Sequence, residues 1–128
     1  MKRCLLDSSF VIDLLNEVAA NRRGPARAWA ARNRGAELWI SPVTSAEVLE
    51  GASDADAVRE AFRAFRWQTI GRQHAERAAL RQSRATQRLG ENDAWQVAVA
   101  ECMGAVIVGH DPRAFDRLGE GYEDHRRP

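Results

Sequence analysis

Cys4-Leu5-Leu6-Asp7-Ser8-Ser9, running on into Phe10-Val11-Ile12-Asp13-Leu14-Leu15, is the stretch from which the fold can be read. Residues 3–6 end in a short apolar run, as a buried strand does, and Asp7 closes that run with a carboxylate. The apolar spacing that follows predicts a helix to about Glu17, with no linker between strand and helix. Asp7 therefore stands where a strand hands over to a helix, at the rim of whatever sheet the strand joins.

Outward from this unit the same alternation recurs. Val18 to Gly24 is a polar break, and Pro25 sits where a first helical turn tolerates proline. An alanine-rich helix over 25–34 carries Trp29 and closes at Gly35. Glu37 to Ile40 reads as a second strand, followed by a helix from about Val43 to Leu49. Asp54 or Asp56 starts a further helix, with Val58, Ala61, Phe62 and Phe65 on one face and Arg59, Arg63 and Arg66 on another. Trp67 to Ile70 is a third strand. The helix expected over 72–89 carries Arg77, Arg81, Arg84 and Arg88 as a narrow basic stripe. Gly90 breaks it, and Asn92 or Asp93 starts a helix to Met103 that is apolar on nearly all sides. Ala105 to Val108 is a fourth strand, Asp111-Pro112 opens a short helix to about Leu118, and residues 119–128 read as a polar tail. Strands alternating with helices predict an α/β fold, a three-layer α/β/α sandwich around a mainly parallel sheet of four to five strands. Residues 1–128 are expected to form one domain.

Composition narrows the function classes. The chain has 128 residues, of which 45% are hydrophobic and 29% charged, values that suit a globular domain. A net charge of +1 argues against bulk electrostatic binding as the main activity. No apolar run approaches the roughly 18–20 residues of a membrane span, and Asp7 and Asp13 interrupt the only stretch placed like a signal peptide. A cytoplasmic location is the expectation. Cys4 and Cys102 lack metal-ligand spacing and read as reduced core thiols. Lys2 is the only lysine, which removes the phospho-acceptor receiver reading, and no glycine pattern supports a nucleotide-binding loop.

Four acids carry the functional signal, and each also reads as a helix-start residue. Asp7 can cap the helix after it, and Thr44-Ser45-Ala46-Glu47 has the form of a capping box. Asn92 and Asp93 are good helix starters, and Asp111 precedes a proline at a first helical position. Their joint placement suggests more. In an open parallel sheet the strand C-termini and the following helix N-termini share one edge, where ligands bind. Two unit charges about 4 Å apart repel by about 4 kcal/mol at an effective dielectric of about 20, so a cluster of carboxylates calls for a divalent cation. Oxygen-only ligands favour Mg²⁺ or Mn²⁺ over zinc.

Four segments taken in order are similar to PIN-domain ribonucleases, in particular the VapC-type toxins of bacterial toxin–antitoxin pairs. They are Leu5-Leu6-Asp7-Ser8-Ser9, Ser41-Pro42-Val43-Thr44-Ser45-Ala46-Glu47-Val48, Gly90-Glu91-Asn92-Asp93-Ala94-Trp95-Gln96-Val97-Ala98, and Val108-Gly109-His110-Asp111-Pro112-Arg113-Ala114-Phe115. The resemblance implies a Mg²⁺- or Mn²⁺-dependent endoribonuclease that leaves 5′-phosphate and 3′-hydroxyl ends. It places Asp7, Glu47, Asp93 and Asp111 as the catalytic, metal-holding acids, and Ser8 as a hydroxyl that orients the first acid or the scissile phosphate. It also implies a small cognate antitoxin and a homodimer. Arg77, Arg81, Arg84 and Arg88 are candidate contacts to RNA, against the alternative of a solvated helix face. Gly109 departs from the family pattern, which often has threonine or serine there, and the polar tail leaves the usual last edge strand short or absent. Glu50 and Asp116 are expected to face solvent. A catalytically silent binding module of the same fold is the alternative function.

Overall fold

Side chains of the first strand point alternately to two cores. Cys4 and Leu6 are buried in one apolar cluster and Leu5 in another, the period-two pattern of a strand covered on both faces. The computed structural model describes residues 1–127. Its strands are β1 (Arg3–Leu6), β2 (Glu37–Ile40), β3 (Arg66–Trp67), β4 (Val106–Gly109) and β5 (Tyr122–Asp124). They form one sheet in the order β3-β2-β1-β4-β5, and every pairing is parallel. The helices are α1 (Ser8–Ala19), α2 (Pro25–Arg32), α3 (Pro42–Glu50), α4 (Ala55–Phe62), α5 (Arg72–Arg84), α6 (Glu91–Met103) and α7 (Pro112–Phe115), with a 3₁₀ segment over Asp116–Gly121.

The layers follow from the two clusters. Phe10 and Val11 of α1, Trp29 of α2 and Val48 of α3 pack with Leu6 and Val108 on one face. Val97, Val99 and Ala100 of α6, with Phe115 of α7, pack with Leu5 and Ile107 on the other. This is the expected α/β/α sandwich, with five strands. None of the helices is long and apolar enough to cross a membrane among the described residues.

β1 lies in the middle because the chain first builds outward through β2 and β3, then returns to add β4 and β5 on the other side. The reversal of direction falls between β1 and β4, and such a switch point opens a crevice beyond the strand C-termini. Asp7 and Asp111 both follow strands at that crevice.

Some local expectations need correction. α5 ends at Arg84 instead of running to residue 89, so Arg88 lies beyond the helix and off the stripe. The Gln82 side chain takes over both backbone groups of Leu89, accepting from its N–H at 3.0 Å and donating to its carbonyl at 2.8 Å. That bracket turns the chain and buries the Leu89 side chain. Residues 119–128 are not simply a polar tail: Tyr122–Asp124 form β5, and His125 is buried. Pro128 lies outside the described residues. Cys4 is buried as expected, but Cys102 is exposed.

Glu17 was not singled out by its sequence context, yet it joins α1 to α2. Its buried carboxylate accepts the backbone N–H groups of Gly24, Ala26 and Arg27, each at 2.9 Å. These are unpaired donors at the start of α2, where a negative charge is also favoured by the helix dipole. A Cβ at Gly24 would lie 2.6 Å from the Glu17 Cδ, so the loop passes the carboxylate only as glycine. Burial raises the Glu17 pKa, but the three N–H bonds outweigh it and hold the carboxyl below its usual range. Glu17→Gln turns one acceptor oxygen into a donor facing N–H groups, and is expected to cost about 1.5–3 kcal/mol in urea unfolding at pH 7. Because the folded pKa is depressed, this difference is present above the ordinary glutamate range and fades as pH falls through the folded value. Equal stability of the two proteins at pH 7 would contradict this role.

Candidate active site

Asp7 is buried at the end of the central strand, with its backbone N–H donating to the carbonyl of Val108 at 2.8 Å. Its Oδ2 accepts from the Ser9 backbone N–H at 3.3 Å and from the Ser9 hydroxyl at 2.7 Å. The cap reading is thus real for Asp7, and the hydroxyl that reaches it belongs to Ser9, not to Ser8 as the sequence suggested. Ser9 Oγ also accepts the His110 backbone N–H at 2.7 Å, tying α1 to the loop after β4. Burial pushes the Asp7 carboxyl up, the Ser9 bonds oppose it, and the charge of Asp111 pushes it up further.

Gly109 explains how this packing is possible. A Cβ there would sit 2.6 Å from Asp7 Cβ and 2.8 Å from Ser9 Oγ, closer than real Cβ contacts come. The space that a residue-109 side chain would need is filled by Ser9, which brings its own hydroxyl. The departure at Gly109 therefore does not leave Asp7 without a hydroxyl partner.

Asp111 caps α7, its Oδ1 accepting the Ala114 N–H at 3.2 Å. Its own backbone N–H donates to the Tyr122 hydroxyl at 3.0 Å, so β5 supports the last acid. Burial, partly offset by that N–H bond, pushes the Tyr122 phenol up to about 12.

Glu47 is not part of a capping box. Ser41 caps α3 instead, and the Thr44 hydroxyl donates to the Leu6 carbonyl at 2.7 Å. Gln96 of α6 donates to Thr44 Oγ1 at 2.8 Å and accepts from the Ser41 hydroxyl at 2.5 Å. All three side chains are buried. Glu47 lies one turn after Thr44 and Asp93 one turn before Gln96, so this network locks the two acid-bearing helix faces toward each other. Asn92 adds a hydrogen bond to Glu47 Oε2 at 3.4 Å.

The four acids consequently share one edge and feel each other's charge. Burial, then Asp111, Asp7 and Glu47 in that order, push the Asp93 carboxyl up to about 6, with Arg117 opposing. As the side chains stand, no three His, Cys, Asp or Glu groups among the described residues are close enough to ligate one ion. The donor set itself, all carboxylate oxygen, fits a hard divalent cation and not zinc. His110 pairs its Nδ1 with Asp124 at 3.0 Å, and buried His125 bonds Asp13 at 2.7 Å, so both rings are held by other carboxylates. Glu50 and Asp116 are exposed.

The arginines divide. Arg77 and Arg81 both pair with Glu101 of α6, while Arg84 closes α5 and exposed Arg88 follows it. Sequence reasoning missed Ser9, Tyr122, Arg117 and the Ser41–Thr44–Gln96 network. Gln96 did carry a signal, since a polar side chain inside an apolar helix needs partners when buried.

The sequence model of the PIN domain matches residues 4–121. The chain belongs to the PIN domain family. No curated protein sequence matches significantly. Among solved structures, a toxin–antitoxin complex from Klebsiella pneumoniae has a chain 25% identical, with a TM-score of 0.75 over 95% of this chain and 97% of that one. The VapBC-1 structure from nontypeable Haemophilus influenzae gives 20% identity and a TM-score of 0.75 over 98% and 99%. A sarcin–ricin-loop-cleaving toxin of Mycobacterium tuberculosis gives 19% and 0.69 over 91% and 95%. At these last two identities the likeness shows the PIN fold.

The raised Asp93 pKa has a thermodynamic consequence in metal-free protein. Its stabilising margin is greatest below the unfolded value of about 4 and is lost as pH rises through about 6. Asp93→Asn, measured with chelator present, is therefore expected to be more stable than the parent at pH 7.5. The gain is about 1 kcal/mol once solvent screening of a half-exposed carboxylate is discounted, and it vanishes near pH 4. A variant less stable than the parent at pH 7.5 would contradict the cost of holding a charged carboxylate at this position.

Proposed function

We propose that this PIN domain chain is the toxin of a toxin–antitoxin pair and cuts RNA as a divalent-metal-dependent endoribonuclease. The observation that carries the proposal is the placement of Asp7, Glu47, Asp93 and Asp111 along the switch-point edge of the sheet, where burial first and then the charges of the other three push the Asp93 carboxyl up. Residues 1–128 are read as one catalytic unit. The toxin assignment draws on the toxin–antitoxin complexes whose fold it shares, and extends to a small antitoxin partner and a homodimer.

Asp7, Glu47, Asp93 and Asp111 would hold Mg²⁺ or Mn²⁺. When bound, such an ion supplies charge for the phosphoryl oxygens and lowers the pKa of a water nucleophile. The protein's part is positional. Ser9 fixes Asp7, Tyr122 fixes the backbone of Asp111, and the Thr44–Gln96 bond sets Glu47 against Asp93. The N-terminus of α6, whose cap Gly90 makes no side-chain bond, opens on this edge, so its first N–H groups favour the anionic backbone of the substrate there. The Ser8 hydroxyl, at the first position of α1, is available to orient the scissile phosphate.

Incubating the purified chain with structured RNA is expected to give cleavage with Mg²⁺ or Mn²⁺, none in excess chelator, and products with 5′-phosphate and 3′-hydroxyl ends. Asp7→Asn should reduce the rate at least a hundredfold, the scale of losing one electrostatic contributor to a transition state. Persistence of cleavage in chelator, or 2′,3′-cyclic phosphate ends, would overturn the mechanism. Absence of cleavage for every RNA tried while the metal still binds would favour a silent binding module.

A further inference from the structure

The arginine stripe and the 3₁₀ segment meet in a groove on the α5–α6 face. It is walled by Arg77, Arg81 and Arg84 from α5, by the turn ending at Leu89, by Glu101 of α6 and by Arg117. Four guanidinium groups thus face one carboxylate, in a chain whose net charge is only +1. The turn that forms one wall runs from Leu89 into Gly90, the cap of α6, and Asp93 lies in the first turn of that helix.

The four arginines do not play one role. Glu101 Oε1 accepts from Arg77 Nε at 3.3 Å, and its Oε2 is paired with Arg81. Burial raises the Glu101 pKa, but these two arginines outweigh it and keep the carboxyl below its usual range. Arg77 and Arg81 therefore brace α5 against α6. Arg84 and Arg117 form no ion pair among the described residues. Arg117 Nη1 donates to the Gln87 carbonyl at 2.6 Å, which fixes its guanidinium on the groove wall with its other donors uncommitted. Arg117 is thereby anchored on the same turn that runs through Leu89 and Gly90 into the first turn of α6, where Asp93 stands.

We infer that this groove is the track along which the RNA backbone enters the site, with Arg84 and Arg117 as its phosphate contacts and Arg77 and Arg81 as its braces. The inference rests on the nuclease reading above. Guanidinium forks match phosphate oxygens and remain charged at any working pH. Leu80, 43% exposed, gives the groove an apolar surface on which a sugar or base can lie. The stripe is thereby shortened at one end, where Arg88 falls outside, and extended by a residue from a distant part of the chain.

The test measures binding of a labelled single-stranded RNA oligonucleotide to the full chain carrying Asp7→Asn, in chelator, across a salt series. Adding Arg84→Gln with Arg117→Gln is expected to weaken binding roughly tenfold at moderate salt. The log–log salt slope should become shallower by about 1.4, two contacts to a single strand. Arg84→Lys with Arg117→Lys keeps the charge and should keep the slope, which separates loss of contact from loss of fold. Arg23→Gln with Arg34→Gln, exposed on the opposite layer, should change neither quantity. Parent-like affinity and slope in the double glutamine variant would overturn the groove assignment alone. Equal losses in the lysine pair or the control pair would do the same, as would competition by polyglutamate as effective as that by RNA. A parent chain that binds no RNA at all would overturn the nuclease reading and this inference together.

Discussion

A carboxylate buried at the end of the central strand is the constraint on which this structure turns. Removing Asp7 from water disfavours its charge, and a neighbouring acid adds to the cost. Ser9 offsets part of it through two hydrogen bonds, and the N-terminal end of α1 favours the negative form. The same serine hydroxyl accepts from the backbone of His110, so the first and fourth strands are clasped at the point where the sheet topology reverses. Gly109 makes the clasp sterically possible, because any side chain there would enter the volume of Asp7 and Ser9. A residue that looks like a lost hydroxyl in the sequence is in the fold the condition for another hydroxyl to serve.

The remaining acids are positioned by buried polar contacts and not by their own chemistry. Ser41, Thr44 and Gln96 form a closed set in which α3, α6 and the end of β1 are held in register. Such a set is stable only when every member is satisfied, which makes the angle between Glu47 and Asp93 a consequence of core packing. At the other wall, β5 brings Tyr122 under Asp111, and the segment after it docks through His125 and Arg126 onto Asp13 of α1. The acid edge is therefore held by a frame in which most of the buried hydrogen bonds are made by side chains other than the four acids.

Much of this was legible before the fold was seen. β1, β2 and the helix starting at Pro25 followed from apolar runs bounded by polar breaks, proline and glycine, and the alternation of strand and helix settled the layer architecture. The placement of Asp7 and Asp111 after strands was also local information. What escaped was decided by contacts distant in sequence. The end of α5 depends on Gln82 bracketing Leu89, β5 on pairing with β4, and the burial of His125 on Asp13 more than a hundred residues away. Thr44 to Glu47 had the pattern of a capping box, but Ser41 caps that helix and Thr44 turns inward to β1. Local pattern proposes a partner for a polar side chain, and the tertiary core can supply a better one.

We propose that the repulsion among the four carboxylates is relieved by a hard divalent cation. Thermal unfolding of the chain with Mn²⁺ or Mg²⁺ titrated against a chelated control tests it most directly, since an ion that binds only the folded state raises the melting temperature by mass action. A saturable rise is expected in the parent and is abolished in Asp7→Asn and in Asp93→Asn, together with selectivity for these ions over an equal concentration of Na⁺. A melting temperature unmoved by either divalent ion, or moved equally in the parent and both variants, would contradict it.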